Sequence, residues 1–220
     1  MSLRSERLAH ALETGALDLP EGRIAVFRPR AGDDPGVLGA GRLVIVTGFR
    51  PDHDAFAAAG YEVCRSPGGV LAAALVCLPR ARDHARALIA EADRLLPPGA
   101  PIVVDGQKTD GIDAMLRELR QRGARPGAPV SKAHGKLFVV PAGLGLEDWR
   151  AAPRRNALGL TVLPGVFGPE GADRGSALLA AALPASMTGR VADLGAGWGY
   201  LAAEILTRPG PRELHLIEAE

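Results

Sequence analysis

The chain has 220 residues and a net charge of +1, with 47% apolar and 23% charged residues. This ordinary globular composition argues against global disorder. No apolar run approaches the roughly 20 residues that span a bilayer, and the N-terminus lacks the apolar core of a signal peptide. The sequence therefore predicts a cytoplasmic protein without a membrane anchor. Cys64 and Cys77 lie in apolar runs and are expected to be reduced, buried thiols.

Short β-branched runs alternate with helical patterns through residues 1–141. Asp110 is the predicted N-cap of the last helix in this region. Strands alternating with helices are typical of a mostly parallel sheet covered on both faces, so we expect a Rossmann-like α/β domain here. The predicted strands are 23–27, 43–47, 61–64, 70–78, 102–105 and 136–140, and the predicted helices are 52–59, 82–96 and 112–119.

Residues 142–157 resemble a linker, since they contain Gly143, Gly145 and Pro153. A second pattern occupies 158–220, with a helix that Asp173 can cap. We expect this region to contain the first strands and helices of a second Rossmann-like domain. Its predicted elements are strands at 158–163, 190–194 and 213–217 and a helix at 200–207.

The second region contains a glycine-rich turn between a strand and a helix. Asp193 ends the strand, and Gly195, Gly197 and Gly199 follow. Glycines permit a tight turn and a close approach of a ligand to the backbone, and the helix that follows offers free N–H groups. Glu218 ends the next strand, where a carboxylate can accept hydrogen bonds from both hydroxyls of a ribose.

Two ligand classes use this layout. The dinucleotide fingerprint G-x-G-x-x-G would place its third glycine at Tyr200. The spacing present, D-x-G-x-G-x-G, is that of class I S-adenosylmethionine (SAM) methyltransferases, so SAM is favoured over NAD. A glycine-rich turn that binds nothing remains the alternative.

The second region resembles the catalytic domain of the small-subunit rRNA guanine-N2 methyltransferases. Residues 159–167 (GLTVLPGVF) and 173–179 (DRGSALL) are similar to the family's opening motif, and 190–199 (RVADLGAGWG) is similar to its SAM motif. Residues 95–106 resemble its N-terminal half more loosely. The resemblance implies SAM as cofactor and Glu218 as the ribose-binding acid, usually Asp in the family. The implied cofactor-binding residues are Asp193, Gly195, Ala196, Gly197, Gly199 and Glu218, with Asp173 and Ser176 as further candidates.

For Asp173 and Ser176 the alternative to cofactor binding is that Asp173 only caps a helix and Ser176 faces solvent.

The family has two methyltransferase-like domains in tandem, of which the second is catalytic. The first half here agrees, because loop 28–36 lacks G-x-G-x-G and 77–80 lacks the family's Asn-Pro-Pro-aromatic motif. In the second domain that motif is expected beyond Glu220. We therefore expect the chain to be a fragment that does not methylate RNA alone.

The resemblance implies methyl transfer to the exocyclic amine of a guanine in small-subunit rRNA, naked or in a ribosomal subunit. The alternative is a non-catalytic RNA-binding or assembly module with a vestigial nucleotide site.

Residues 117–155 contain nine basic and three acidic residues, which gives this segment a net charge of +6. We therefore predict RNA contacts by Arg150, Arg154 and Arg155. A solvated arginine-rich surface is the other interpretation. The five histidines are scattered, so no metal site is expected.

Overall fold

The computed structural model describes residues 2–166, 168 and 171–220. It divides into two compact units, Met1–Arg150 and Ala151–Glu220, called here the first and second unit. Phe167, which ends the predicted opening motif, lies outside the described residues. The division into a domain at 1–141, a linker at 142–157 and a domain at 158–220 stays a prediction. The start of that linker, through Trp149, contributes to the buried core of the first unit.

One seven-stranded sheet forms the centre of the first unit, in the order β3-β2-β1-β4-β5-β7-β6. Strands β1 to β5 pair in parallel, whereas β7 is antiparallel to both β5 and β6. The strands are β1 Ile24–Phe27, β2 Leu43–Val46, β3 Glu62–Cys64, β4 Ala73–Cys77, β5 Pro101–Gln107, β6 Val130–Lys132 and β7 Gly135–Pro141. All the strands predicted in this region are present, and β6 is an additional one.

The sheet is buried on both faces, which explains the continuous apolar runs of its central strands. In β1, Ile24 and Val26 pack into one core cluster, and Ala25 and Phe27 pack into the other. This alternation is the two-residue period of a β-strand. The mostly parallel α/β fold expected from the sequence is therefore confirmed.

Four α-helices cover the sheet: α1 Leu3–Glu13, α2 Arg50–Ala58, α3 Arg82–Leu95 and α4 Ile112–Gln121. The sequence did not predict α1, which is capped by Ser2 and packs with Leu8 and Ala11 buried. The prediction that Asp110 caps α4 is wrong. Gly111 is the N-cap in the left-handed region, and Asp110 instead accepts a hydrogen bond from the Gln107 amide in a preceding turn.

Helix α1 is attached to the sheet by buried charges. The Arg7 guanidinium and the Asp105 carboxylate are both fully buried, and Arg7 donates from Nε and Nη2 to the two carboxylate oxygens at 2.6 and 3.0 Å. Arg4 donates from Nε to Asp105 at 2.8 Å and also pairs with Asp33 in loop 28–36. These contacts lie beside the carboxyl ends of β4 and β5, since Asp105 is in register with Cys77.

The described part of the second unit contains two small sheets and two helices. Strands β8 Arg154–Arg155 and β9 Thr161–Val162 form an antiparallel pair, and β10 Gly189–Leu194 and β11 Pro211–Ile217 form a parallel pair. The helices are α5 Arg174–Ala182 and α6 Tyr200–Leu206. The strand predicted at 158–163 is thus limited to Thr161–Val162, because Gly159 turns at a φ of +75°.

Candidate functional site

The turn 195–199 connects β10 to α6 through three glycines in the left-handed region. The φ angles of Gly195, Gly197 and Gly199 are +73°, +54° and +89°. Residues with a Cβ atom are disfavoured at such φ angles, so the backbone requires glycine here. A Cβ added at Gly195 or Gly197 would meet nothing within 4 Å. The space beside the turn is therefore open to a ligand.

Glu218 lies against this turn, as the sequence predicted. The amides of Gly195 and Ala196 donate to the carbonyl of Ile217 at 2.8 and 3.1 Å, which joins the turn to the end of β11. The Gly197 amide donates to Oε2 of Glu218 at 2.7 Å. This hydrogen bond, followed by that from the Ala219 amide, lowers the pKa of Glu218. Glu218 is consequently an ionised hydrogen-bond acceptor at neutral pH.

Asp193 is buried at the end of β10, with 6% of its surface exposed. Its Oδ2 atom has no hydrogen-bond partner among the described residues. A buried carboxylate oxygen without a donor is costly, and native proteins usually supply a partner from protein, water or ligand. The open space beside the turn and this oxygen together fit a polar ligand that brings its own donor.

Asp173 and Ser176 lie at the start of α5. Asp173 is the N-cap and accepts hydrogen bonds from the Gly175 and Ser176 amides at 2.9 and 3.2 Å, so the predicted cap is confirmed. The Ser176 hydroxyl donates to Asp173 at 2.5 Å and is the first cause of the lowered pKa of that carboxyl. Their part in binding a cofactor stays a prediction.

The two tryptophans have structural contacts that the sequence did not specify. Trp198 donates from Nε1 to the carbonyl of Gly168 at 3.0 Å, which joins the glycine-rich turn to the segment before α5. Trp149 is buried, with the guanidinium groups of Arg86 and Arg122 at 5.5 and 4.9 Å from its ring. Trp149 is therefore part of the first unit's core.

Part of the positive charge in 117–155 is balanced locally. Arg122 pairs with Asp148, and Lys136 pairs with Asp113 at 2.5 Å. The predicted RNA contacts are exposed: Arg150 follows the last turn of the first unit, and Arg154 and Arg155 form β8. RNA contact by these three arginines stays a prediction.

Other site chemistry is limited in the described part of the chain. No group of three or more His, Cys, Asp or Glu residues there could hold a metal ion. Both cysteines are free thiols, and burial raises the pKa of Cys77 to about 12. None of the helices in the described ranges has the length and apolar character needed to cross a membrane.

Comparison with known proteins gives three findings. Residues 157–220 match the family model of the methyltransferase small domain. The chain is 34% identical over 165 residues to ribosomal RNA small subunit methyltransferase C of Pseudomonas paraeruginosa, covering 71% of this chain and 49% of that protein. The same enzyme of Stutzerimonas stutzeri is 32% identical over 167 residues, covering 70% and 48%.

A solved structure has the same fold. The 16S rRNA N2 G1207 methyltransferase of T. thermophilus, in complex with AdoMet and guanosine, superposes with a TM-score of 0.73 at 20% identity, covering 93% of this chain and 61% of that one. The fold is therefore that of the class I, Rossmann-like methyltransferases.

Within that class, the predicted resemblance to the small-subunit rRNA guanine-N2 methyltransferases is confirmed. The chain is similar to ribosomal RNA small subunit methyltransferase C and spans about half the length of these curated relatives.

Proposed function

We propose that this chain is part of a SAM-dependent methyltransferase that modifies the exocyclic N2 amine of a guanine in small-subunit rRNA in the cytoplasm. The observation that carries the proposal is the glycine-rich turn. It brings a buried, unpartnered Asp193 oxygen and an ionised Glu218 to the carboxyl ends of adjacent parallel strands. This edge is where open α/β sheets bind nucleotides.

The residues present fit SAM at this place. When bound, SAM supplies a methyl group activated by its sulfonium. The turn at Gly195 and Gly197 leaves the backbone open to the methionine end, and Asp193 offers its Oδ2 to the ammonium side. Glu218 holds the ribose hydroxyls through its carboxylate, which the Gly197 amide keeps ionised and fixed in direction.

Calorimetric titration of the 220-residue chain with SAM and with S-adenosylhomocysteine tests the cofactor site. Glu218→Gln and Gly197→Ala are each expected to weaken SAM binding at least about tenfold. Glu218→Gln removes charge-assisted hydrogen bonds to the ligand, and Gly197→Ala strains the backbone of the turn. Glu213→Gln on β11 is the matched control for the lost charge. Gly189→Ala is the matched control for the glycine, since Gly189 also has a positive φ of +81° but begins β10.

An equal loss of SAM affinity in the test and control variants would contradict the assignment of the SAM site to the glycine-rich turn and Glu218. SAM binding that maps to the first unit would contradict it as well. The loop 28–36 is expected to bind no SAM, since it lacks the glycine spacing and Asp33 within it is paired with Arg4.

The proposed RNA contacts are tested by a salt titration. We expect Arg150→Ala/Arg154→Ala/Arg155→Ala to weaken binding to any RNA and to flatten the dependence on salt, because each lost phosphate contact releases one counterion fewer. The control removes three other exposed arginines, Arg94, Arg190 and Arg212. The contacts would be refuted if the logarithm of RNA affinity fell with the logarithm of salt concentration at the same slope in the triple variant and in the wild type. Naked 16S rRNA and small ribosomal subunits, used in parallel, identify the substrate form.

A further inference from the structure

A cavity of about 450 Å³ opens in the first unit at the carboxyl ends of β2 and β3. The Thr47 amide donates to the Cys64 carbonyl at 3.0 Å, which extends the pairing of the two strands to the edge of the cavity. Cavities of this size are typical of small-molecule sites, and the carboxyl edge is the usual ligand side of an open α/β sheet. The lining residues are Thr47, Gly48, Arg50, His53, Cys64 and Arg65.

The two arginines on the wall have N–H groups that can donate to a ligand. Arg65 is exposed and makes no ion pair or side-chain hydrogen bond with the described residues. Arg50 donates to Asp54 from Nε alone, at 2.8 Å to each carboxylate oxygen, so both Nη nitrogens remain for a ligand. His53 also lines the cavity, and its Nδ1 lies 3.0 Å from the same carboxylate. Asp54 itself is not among the lining residues.

The remaining wall adds a buried donor and no negative charge. Thr47 is 2% exposed, and its hydroxyl oxygen accepts from the Phe49 amide at 3.3 Å. Its hydroxyl proton has no acceptor in the described part of the chain. Burial raises the pKa of the Cys64 thiol, which therefore stays neutral at physiological pH. All the charge on this wall is thus positive.

We propose that this cavity binds a phosphate group, carried either by an RNA strand or by a free nucleotide. Two guanidinium groups and a buried hydroxyl match the acceptor oxygens of a phosphate, and arginine binds such groups through paired N–H donors. Helix α2 begins at Arg50 without a side-chain cap, so the positive end of its dipole adds to the same field. The site lies in the first unit and does not depend on a working SAM site in the second.

Calorimetry on the 220-residue chain uses four probes: inorganic phosphate, guanosine 5′-monophosphate, guanosine, and a single-stranded RNA of about 12 nucleotides. We expect the monophosphate to bind and the unphosphorylated nucleoside to bind at least about tenfold more weakly. Arg65→Ala should weaken binding of the monophosphate about tenfold to a hundredfold, the usual effect of losing charge-assisted hydrogen bonds. Thr47→Val, which removes only the hydroxyl, should weaken binding several-fold.

Arg94→Ala is the matched control. Arg94 is exposed on α3 outside the cavity, so its removal takes the same charge from the surface without touching the proposed site. If Arg65→Ala also weakens RNA binding and the monophosphate competes with RNA, the phosphate is that of an RNA strand. If Arg65→Ala affects the monophosphate alone, the ligand is a free nucleotide.

Three results would overturn the proposal: no binding of any phosphorylated probe, equal binding of guanosine and its monophosphate, or equal losses in Arg65→Ala and Arg94→Ala. The cavity variants should leave SAM binding unchanged, which keeps this test separate from that of the methyltransferase site.

Discussion

Replacing Arg7 by methionine tests whether the buried ion pair holds α1 on the first unit. Methionine fills much of the same volume without the charge. The substitution removes two hydrogen bonds to Asp105, one of 2.8 Å to the carbonyl of Lys132 and a longer one of 3.4 Å to the carbonyl of Ala133. Breaking a fully buried pair by removing one partner typically costs about 3–5 kcal/mol. Because Arg4 still donates to Asp105, we expect the lower end of that range, about 3 kcal/mol.

The assay is urea unfolding followed by tryptophan fluorescence in a Trp198→Phe background. The chain has two tryptophans, so Trp149 then reports the first unit alone. The double variant Arg7→Met/Asp105→Leu should be more stable than Arg7→Met, because an apolar pair replaces a buried carboxylate that has lost one of its two arginine partners.

Two results would refute this reasoning. One is a loss below about 1 kcal/mol for Arg7→Met, the magnitude of an exposed ion pair. The other is a double variant that is less stable than Arg7→Met.

Two further predictions concern the first unit. Gly135→Ala should destabilise it by about 1–3 kcal/mol in the same assay, because the added Cβ would lie 2.5 Å from a backbone carbonyl oxygen and from the buried guanidinium. A Cβ added at Gly41 would have no atom within 4 Å, so Gly41→Ala should change the free energy of unfolding by less than about 0.5 kcal/mol. An equal loss of stability in the two variants would contradict the steric argument. Glu118 is partly desolvated, but its hydrogen bonds to two arginines lower its pKa below the ordinary value of a glutamate. The stabilisation that it contributes is therefore present above that ordinary pKa and is lost as pH falls through the lowered pKa of the folded state, so Glu118→Gln should unfold with a shallower acid dependence than the wild type.

The sheet of the first unit was predictable because its strands are continuous apolar runs separated by proline and glycine. Helix α1 was not, because it buries Arg7, whose partner Asp105 is 98 residues away. No local pattern shows that a charged residue will be buried when its counter-ion is so distant. The error in the predicted cap of α4 has a local cause. Gly111 takes the left-handed conformation, so the N-cap lies one residue later than predicted.

The glycine-rich turn was predictable because its spacing is local and its chemistry requires glycine. Glu218 was predictable from the parallel connection, which returns the chain to the same edge of the sheet. The cavity of the first unit has no such signature. Its walls come from the ends of β2 and β3 and from α2, and Arg50, His53 and Arg65 resemble ordinary surface residues until the fold brings them together.

The attachment of α1 also has a consequence for synthesis of the protein. Arg7 is translated well before its partners, because Asp105 and the Lys132 carbonyl that it also contacts come 98 and 125 residues later. Closing so long a loop has an entropic cost that only the assembled sheet can offset. A nascent chain therefore cannot complete the contacts of α1 with Asp105 and Lys132 until β5 and β6 have left the ribosome.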